Sequence, residues 1–199
     1  MFEQPRPETP LHYLRGSRRG QKETEGLLIA EASLRRCLSI RGSADSARLG
    51  EAVRSVTGLP LPGKTLGFEH RANSFMFWQG PTEWMLVTDH EGSETLEADL
   101  RRALAGEAAA VVDVSGGQTL LSLSGSALSE VLQKSSSYDF HPANFPAGKC
   151  VQTVFAKATA LVARLDDDAV LMLVRRSFAD YIALWLLDAA AEYGVAVRE

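Results

Sequence analysis

Cysteine is nearly absent from this chain: only Cys37 and Cys150 occur in 199 residues. Two thiols so far apart make neither a disulfide framework nor, by themselves, a four-ligand zinc site, and they suit a reducing compartment. No apolar run approaches the roughly 18–20 residues of a membrane-spanning helix. The opening MFEQPRPETP has no apolar signal core, so the expectation is a cytoplasmic chain with no membrane partner. A strong charge of one sign is also missing. Lys and Arg number 21 against 25 Asp and Glu, for a net charge of −4. That balance argues against a nucleic-acid protein, which would show a strongly basic face. The G-x-S-x-G word of a nucleophile elbow and the G-x-G-x-x-G word of a dinucleotide fold do not occur. The four histidines, His12, His70, His90 and His141, have no second ligand at helical metal-binding spacing.

What is present is enough apolar content, 45%, to bury a sizeable core. Residues 1–26 stand apart from it. They are rich in Pro, Arg and polar residues without periodicity, and within 1–22 Arg6, Arg15, Arg18, Arg19 and Lys22 stand against only Glu3 and Glu8, which makes the arm basic. They read as an extended arm, either solvated or laid on an acidic partner, with order starting near Leu27.

The remainder, 27–199, contains a repeat. LSIRGSADSARL at 38–49 recurs as LSLSGSALSEVL at 121–132. Gly63-Lys64 is echoed by Gly148-Lys149, and Met85-Leu86-Val87 by Met172-Leu173-Val174. Two copies indicate a duplicated unit, with unit one about 27–108 and unit two about 109–199. Alternation at Leu34–Ile40 and Thr119–Leu123 predicts half-buried strands. Ser43 and Ser126 are candidate caps for the helices that follow. Leu49, Ala52, Val53 and Val56 form one helical stripe, and Leu128, Val131 and Leu132 a shorter one. Strands are predicted at Ser74–Trp78 and Trp84–Val87, and at Val151–Arg164 and Val170–Arg175, the last apolar on both faces and therefore central. Ala109–Val114 reads as a linking strand. Leu96, Leu100, Ala103 and Leu104 mark one closing helix. Phe178, Ile182, Trp185 and Ala189 mark the other, with Ser177 as its expected cap. The class is α+β: two tandem β-α-β-β-α units, antiparallel sheets backed by helices.

Chemistry-bearing candidates are few. Gly58–Thr65 fits the P-loop pattern, but a helical stripe precedes it, none follows it, and Pro60 and Pro62 remove amide donors; a connecting loop is the better reading. Asp166-Asp167-Asp168 falls between two strands and reads as a hairpin tip. Cys37 and Cys150 read as buried structural thiols. Arg175-Arg176 ends the apolar strand before a helix, where guanidinium groups bond carboxylates; local Asp180 or Asp188 and a neighbouring subunit are both open as partners.

Several words in one order carry a resemblance. They are Val112-Asp113-Val114-Ser115, Leu121–Gly125, Asp139-Phe140-His141-Pro142, Phe145–Cys150, Gln152-Thr153 and VRRSFADY at Val174–Tyr181. With these the chain resembles the gamma subunit of heterotetrameric sarcosine oxidase over roughly 25–195. Ser135-Ser136-Ser137-Tyr138 departs from the cysteine–proline pair expected before the Asp-x-His-Pro word. The resemblance implies a fold like the folate-binding domain of glycine-cleavage T proteins. It also implies assembly with alpha, beta and delta subunits that carry FAD, FMN, NAD and tetrahydrofolate, with no cofactor, metal or catalytic residue on this chain. The complex would demethylate sarcosine oxidatively to glycine, with hydrogen peroxide and either formaldehyde or methylenetetrahydrofolate as products.

The expected subunit contacts are Arg175, Arg176, Phe178, Tyr181, Trp185, His141, Arg18 and Arg19. An apolar patch is expected around Phe178–Trp185 or Phe75–Trp78. Two alternatives stand beside this reading: a folate-binding one-carbon-transfer protein, and the gamma subunit of a sister oxidase or dehydrogenase acting on another N-methyl amino acid.

Overall fold

In a computed structural model the described residues are 8–20 and 25–198. The first repeat runs β2 (Leu27–Glu31), β3 (Arg35–Arg41), α1 (Ala47–Thr57), β4 (Phe68–Arg71), β5 (Ser74–Gly80), β6 (Glu83–Asp89) and α2 (Leu96–Ala103). The second runs β7 (Ala110–Asp113), β8 (Gln118–Ser124), α3 (Leu128–Ser135), β9 (Cys150–Phe155), β10 (Ala158–Asp166), β11 (Ala169–Arg175) and α4 (Ala179–Ala189). Strands β1 (Arg18–Arg19) and β12 (Val195–Val197) flank the pair. The strands form two sheets, β1-β12-β2-β8-β11-β10-β9 and β4-β5-β6-β3-β7. All pairings are antiparallel except that of β12 with β2.

Three apolar clusters stack these sheets into four layers. Val170, Met172 and Val174 of β11 pack with Leu128, Val131, Ile182 and Leu186 of α3 and α4. Leu171 and Leu173, alternate residues of the same strand, face Phe75, Phe77 and Met85 of the other sheet. Beyond that sheet, Leu38, Ile40 and Leu86 pack on Leu49, Val53 and Leu100 of α1 and α2. The order is therefore helices, sheet, sheet, helices. Strand β11 is buried on both faces, as its unbroken apolar run requires. Each fully buried large apolar side chain contributes about 1.5–3 kcal/mol, so the three clusters supply the driving force for this arrangement.

Each repeat lends its first strand to the other. Strand β2 pairs with β8 in the second repeat's sheet, and β7 pairs with β3 in the first. The linking strand expected at 109–114 is thus an integral edge strand, β7. Neither sheet is complete within one repeat, so the boundary near 108 divides the repeats but not the sheets.

The registers also correct the echoes read from sequence. Leu38 faces Leu86, and its counterpart Leu121 faces Met172. Leu86 therefore corresponds to Met172, and the Met-Leu-Val echo is one residue out of step. Likewise Glu69 faces Met76, while Val151 faces Val162, which itself faces Met172. Gly148 then takes the place of Leu66 and not of Gly63. Both adopt positive φ, 82° and 61° respectively. Glycine adopts that geometry without cost, whereas a branched residue is strained there. The first echo holds across the strands, since β3 ends at Arg41 and β8 at Ser124, but the helices that follow are two residues out of step with it, starting at Ala47 and Leu128.

Other local expectations change as well. Residues 151–164 are two strands, broken at Ala156 with φ 53°. Helix α1 is capped by Ser46, whose Oγ accepts the Leu49 amide at 3.1 Å, while Ser43 only offers its carbonyl to Ser46. Helices α3 and α4 have no side-chain cap, so neither Ser126 nor Ser177 serves. A 3₁₀ turn at Arg176–Phe178 leads into α4 instead. The P-loop pattern starts at the left-handed Gly58 that ends α1 and leads into a strand, the reverse of a phosphate cradle.

The largest departure is the arm. Leu11 and Leu14 are buried in the α3/α4 cluster, at 1% and 8% exposure. The Leu11 amide donates to both carboxylate oxygens of Glu31 at 3.2 Å. Strand β1 pairs with β12. Order thus begins well before Leu27, because Leu11 and Leu14, one turn apart on a 3₁₀ helix at His12–Leu14, enter an apolar groove. The expectations for residues 1–7 and 21–24 lie outside the described residues.

Candidate functional site

Where the two sheets diverge, a cleft of about 620 Å³ opens between their inner faces. Strand alternation fixes which side chains enter it. Gln118 sits opposite Arg175 on β8 and β11, and Leu173, Leu161 and Gln152 follow one another across β11, β10 and β9. From the facing sheet come Ser39, Arg41, Glu83, Met85 and Gln79. Met85, Leu161 and Leu173 form an apolar floor continuous with the inter-sheet core.

The rim is built by the turn joining β7 to β8. Ser115 Oγ accepts the Cys37 amide at 3.0 Å, and Asp113 accepts the Ser115 amide at 2.8 Å and Arg36 at 2.6 Å. Partial burial pushes the Asp113 carboxyl upward, but the Ser115 bonds and the Arg36 charge outweigh it and hold it below the ordinary aspartate value. Arg41 pairs with Glu83 at 2.8 Å. Arg175 is exposed and has no hydrogen-bond or ion-pair partner among the described residues. Neither Asp180 nor Asp188 satisfies it. Asp180 accepts from the Tyr13 hydroxyl, and Asp188 lies 3.7 Å from Arg19.

The remaining expected contact residues fall elsewhere. Arg176 donates to the Glu8 carbonyl at 2.7 Å, so it clasps the arm. Arg18 pairs with Glu25 at 3.0 Å. Tyr181 and Trp185 lie on the outer side of α4 together with Leu184, which the sequence reading missed, and Phe178 stands in the 3₁₀ turn just before the helix. Phe178 and Leu184 are 43% and 47% exposed. Trp185 and Tyr181 are half-buried against the core, and Trp185 Nε1 donates to Ser135 Oγ at 3.0 Å. The alternative patch at Phe75–Trp78 is not a surface. Phe75, Met76 and Phe77 are at most 8% exposed, because β5 is an inner strand with a layer on each side.

His141 is exposed in the loop between α3 and β9, where its amide donates to Asp139 at 2.9 Å. That bond, with Asn144 and the His141 charge, lowers the Asp139 pKa. The loop is organised for packing. Phe140 and Phe145 are fully buried, edge-on to each other and to Tyr138. Beneath them lies Arg164, also fully buried, which donates to the carbonyls of Asp167 at 2.9 Å and Phe140 at 3.4 Å. Burial lowers its pKa, opposed by Asp167, Asp166 and Asp168. The three aspartates form the expected hairpin tip between β10 and β11. Both thiols are inert by environment: burial pushes Cys37 and Cys150 up to about 12. No group of three or more His, Cys, Asp or Glu able to hold a metal occurs among the described residues.

The comparisons with known proteins fall on this frame. The pattern of the "Sarcosine oxidase, gamma subunit family" matches residues 41–192. The chain belongs to that family. Sarcosine oxidase subunit gamma from Corynebacterium sp. (strain P-1) is 34% identical over 155 residues, 78% of this chain and 74% of the relative. The subunit from Corynebacterium sp. (strain U-96) is 30% identical over 180 residues, 84% of this chain and 86% of the relative. Among solved structures, a chain of the heterotetrameric sarcosine oxidase from Corynebacterium sp. U-96 superposes with a TM-score of 0.82 at 26% identity, covering 92% of this chain and 94% of that one. Aminomethyltransferase T of the glycine cleavage system from Bartonella henselae gives 0.63 at 14% identity over 87% of this chain and 48% of that one, which shows a shared fold. Within the words that carry the resemblance, Phe140, Phe145, Val174 and Ala179 are buried, while Asp113, His141, Gln152, Arg175 and Arg176 are exposed.

Proposed function

We propose that this chain is the structural gamma subunit of a heterotetrameric sarcosine oxidase, seated among alpha, beta and delta subunits that hold FAD, FMN, NAD and tetrahydrofolate and demethylate sarcosine oxidatively to glycine. The observation that carries the reading is the superposition on a chain of a heterotetrameric sarcosine oxidase over nearly the full length of both. The absence of a helix long and apolar enough to cross a membrane among the described residues is compatible with a cytoplasmic assembly.

The seat for a partner subunit is the outer face of α4. Phe178 and Leu184 expose apolar surface there between the half-buried Tyr181 and Trp185, the composition of an interface core. Pull-down of the tagged chain from its host should recover three other polypeptides with a flavin absorbance band. The double variant Phe178→Asp, Leu184→Asp should fold normally and recover at least tenfold less of them. A lone colourless chain from the unaltered protein would overturn the assignment. Full recovery with the double variant would move the seat off α4.

A further inference from the structure

Five polar side chains of the inter-sheet cleft have no use within the chain. Gln79, Gln118, Gln152, Thr159 and Arg175 line it, and none has a side-chain hydrogen bond or ion pair among the described residues. The other charges of the cleft are neutralised, Arg41 by Glu83 at 2.8 Å and Asp113 by Arg36 at 2.6 Å. One uncompensated positive charge remains, on Arg175. It stands at the end of a floor made by Met85, Leu161 and Leu173. The volume, about 620 Å³, suits a small molecule, and the apolar base of Met85, Leu161 and Leu173 lies beneath a largely polar rim.

We propose that this cleft binds a small organic monocarboxylate. Its carboxylate lies on the Arg175 guanidinium, whose planar fork matches two carboxylate oxygens. Its body rests on the apolar floor, with the amides of Gln118 and Gln152 and the Thr159 hydroxyl serving its remaining polar atoms. The charge balance sets the class. A dianion would need a second free cation, which the cleft does not offer. A cation would need Asp113 or Glu83, both already engaged. The glutamine amides each present a donor and an acceptor, so they accommodate a ligand with both.

The test is a two-dimensional amide NMR titration of the full chain with benzoate, using benzamide as the uncharged control. Benzoate should give saturable shifts at Gln118, Gln152, Leu161 and Leu173 in the millimolar range, and benzamide should bind at least tenfold more weakly. Arg175→Gln replaces an exposed side chain and should keep the fold while weakening benzoate at least tenfold. Thr159→Val should weaken it severalfold. No saturable shift, equal binding of benzamide, or unchanged binding by Arg175→Gln would each overturn the proposal. Benzoate saturation transfer should then be compared between complexes assembled with the unaltered chain and with Arg175→Gln. A retained difference supports a small-molecule site. A difference seen only in the free chain means that a neighbouring subunit fills the cleft, and it overturns the small-molecule reading. None of these outcomes touches the gamma-subunit assignment, which the pull-down tests separately.

Discussion

Arg164 offers the sharpest test of what holds the loop between α3 and β9 in place. Its side chain is fully buried, yet it bonds only backbone carbonyls, and its Nε has no partner. It joins two segments distant in sequence: the β10–β11 tip through Asp167 and the Phe140–Phe145 loop through Phe140 and the Phe145 ring, 5.4 Å from the guanidinium. Arg164→Ala removes the donors from two carbonyls, at about 1–3 kcal/mol for each left unsatisfied. It also leaves a cavity, and large-to-small core replacements cost about 2–5 kcal/mol. Relief from desolvating a cation with one unpaired nitrogen offsets part of this. The expected net loss is about 3–5 kcal/mol. Arg164→Met keeps most of the volume and removes the buried charge, so it should lose only about 1–2 kcal/mol. Urea unfolding followed by circular dichroism gives both numbers. Amide exchange of the alanine variant should accelerate across residues 139–149 before it does in β8 or β11. If both variants lose less than about 1 kcal/mol, the guanidinium does not hold the loop, and the reasoning fails.

Three further outcomes are expected. Gly125 has φ 129°, and a Cβ there would stand 2.4 Å from the Gly26 carbonyl oxygen, so Gly125→Ala should cost about 2–4 kcal/mol. Gly116→Ala, with nothing within 4 Å, should stay within about 0.5 kcal/mol, and thermal melts compare the two. Leu11→Ala should cost about 2–4 kcal/mol in urea unfolding, because Leu11 is a core residue at 1% exposure; a change below about 0.5 kcal/mol would mean that the arm is not docked. The buried thiols predict alkaline destabilisation. Above pH 9 the unfolded chain releases their protons, while the folded chain holds them until about 12. The folded state then binds more protons, so stability is complete below pH 9 and falls as pH rises toward 12, by about 1.4 kcal/mol per pH unit for each thiol. Replacing Cys37 and Cys150 with Ala should flatten that slope in urea midpoints measured between pH 9 and 11.

Much of this architecture is legible in the sequence because periodicity reports burial directly. The unbroken VLMLV run marks β11 as an inner strand, and the Leu49–Val56 stripe marks the buried face of α1. The duplication is legible from one echo whose strand half is in register, Leu38–Arg41 against Leu121–Ser124. The strand exchange is not, because which sheet a short strand joins depends on contacts far along the chain. Nor does the arm's docking show, since Leu11 and Leu14 have no neighbours in sequence to make a pattern. The cap assignments failed for a nearer reason: Ser43 and Ser46 both precede α1, where backbone geometry decides which one accepts the amide, and α3 and α4 start without a side-chain cap although Ser126 and Ser177 stand beside them. Of the expected contact residues, the α4 aromatics are grouped on one face, while Arg175, Arg176, Arg18, Arg19 and His141 are dispersed to the cleft, the arm and a loop. The cleft itself left no motif. Gln118, Gln152 and Thr159 are ordinary polar positions of alternating strands until the register aligns them with Arg175.

Native mass spectrometry of the complex purified through this chain tests the central claim most directly. The account predicts one assembly containing one copy of this chain and three different partner subunits, turning over sarcosine with release of hydrogen peroxide. A monomer or homo-oligomer of this chain alone, with no sarcosine turnover in the same fraction, would contradict it.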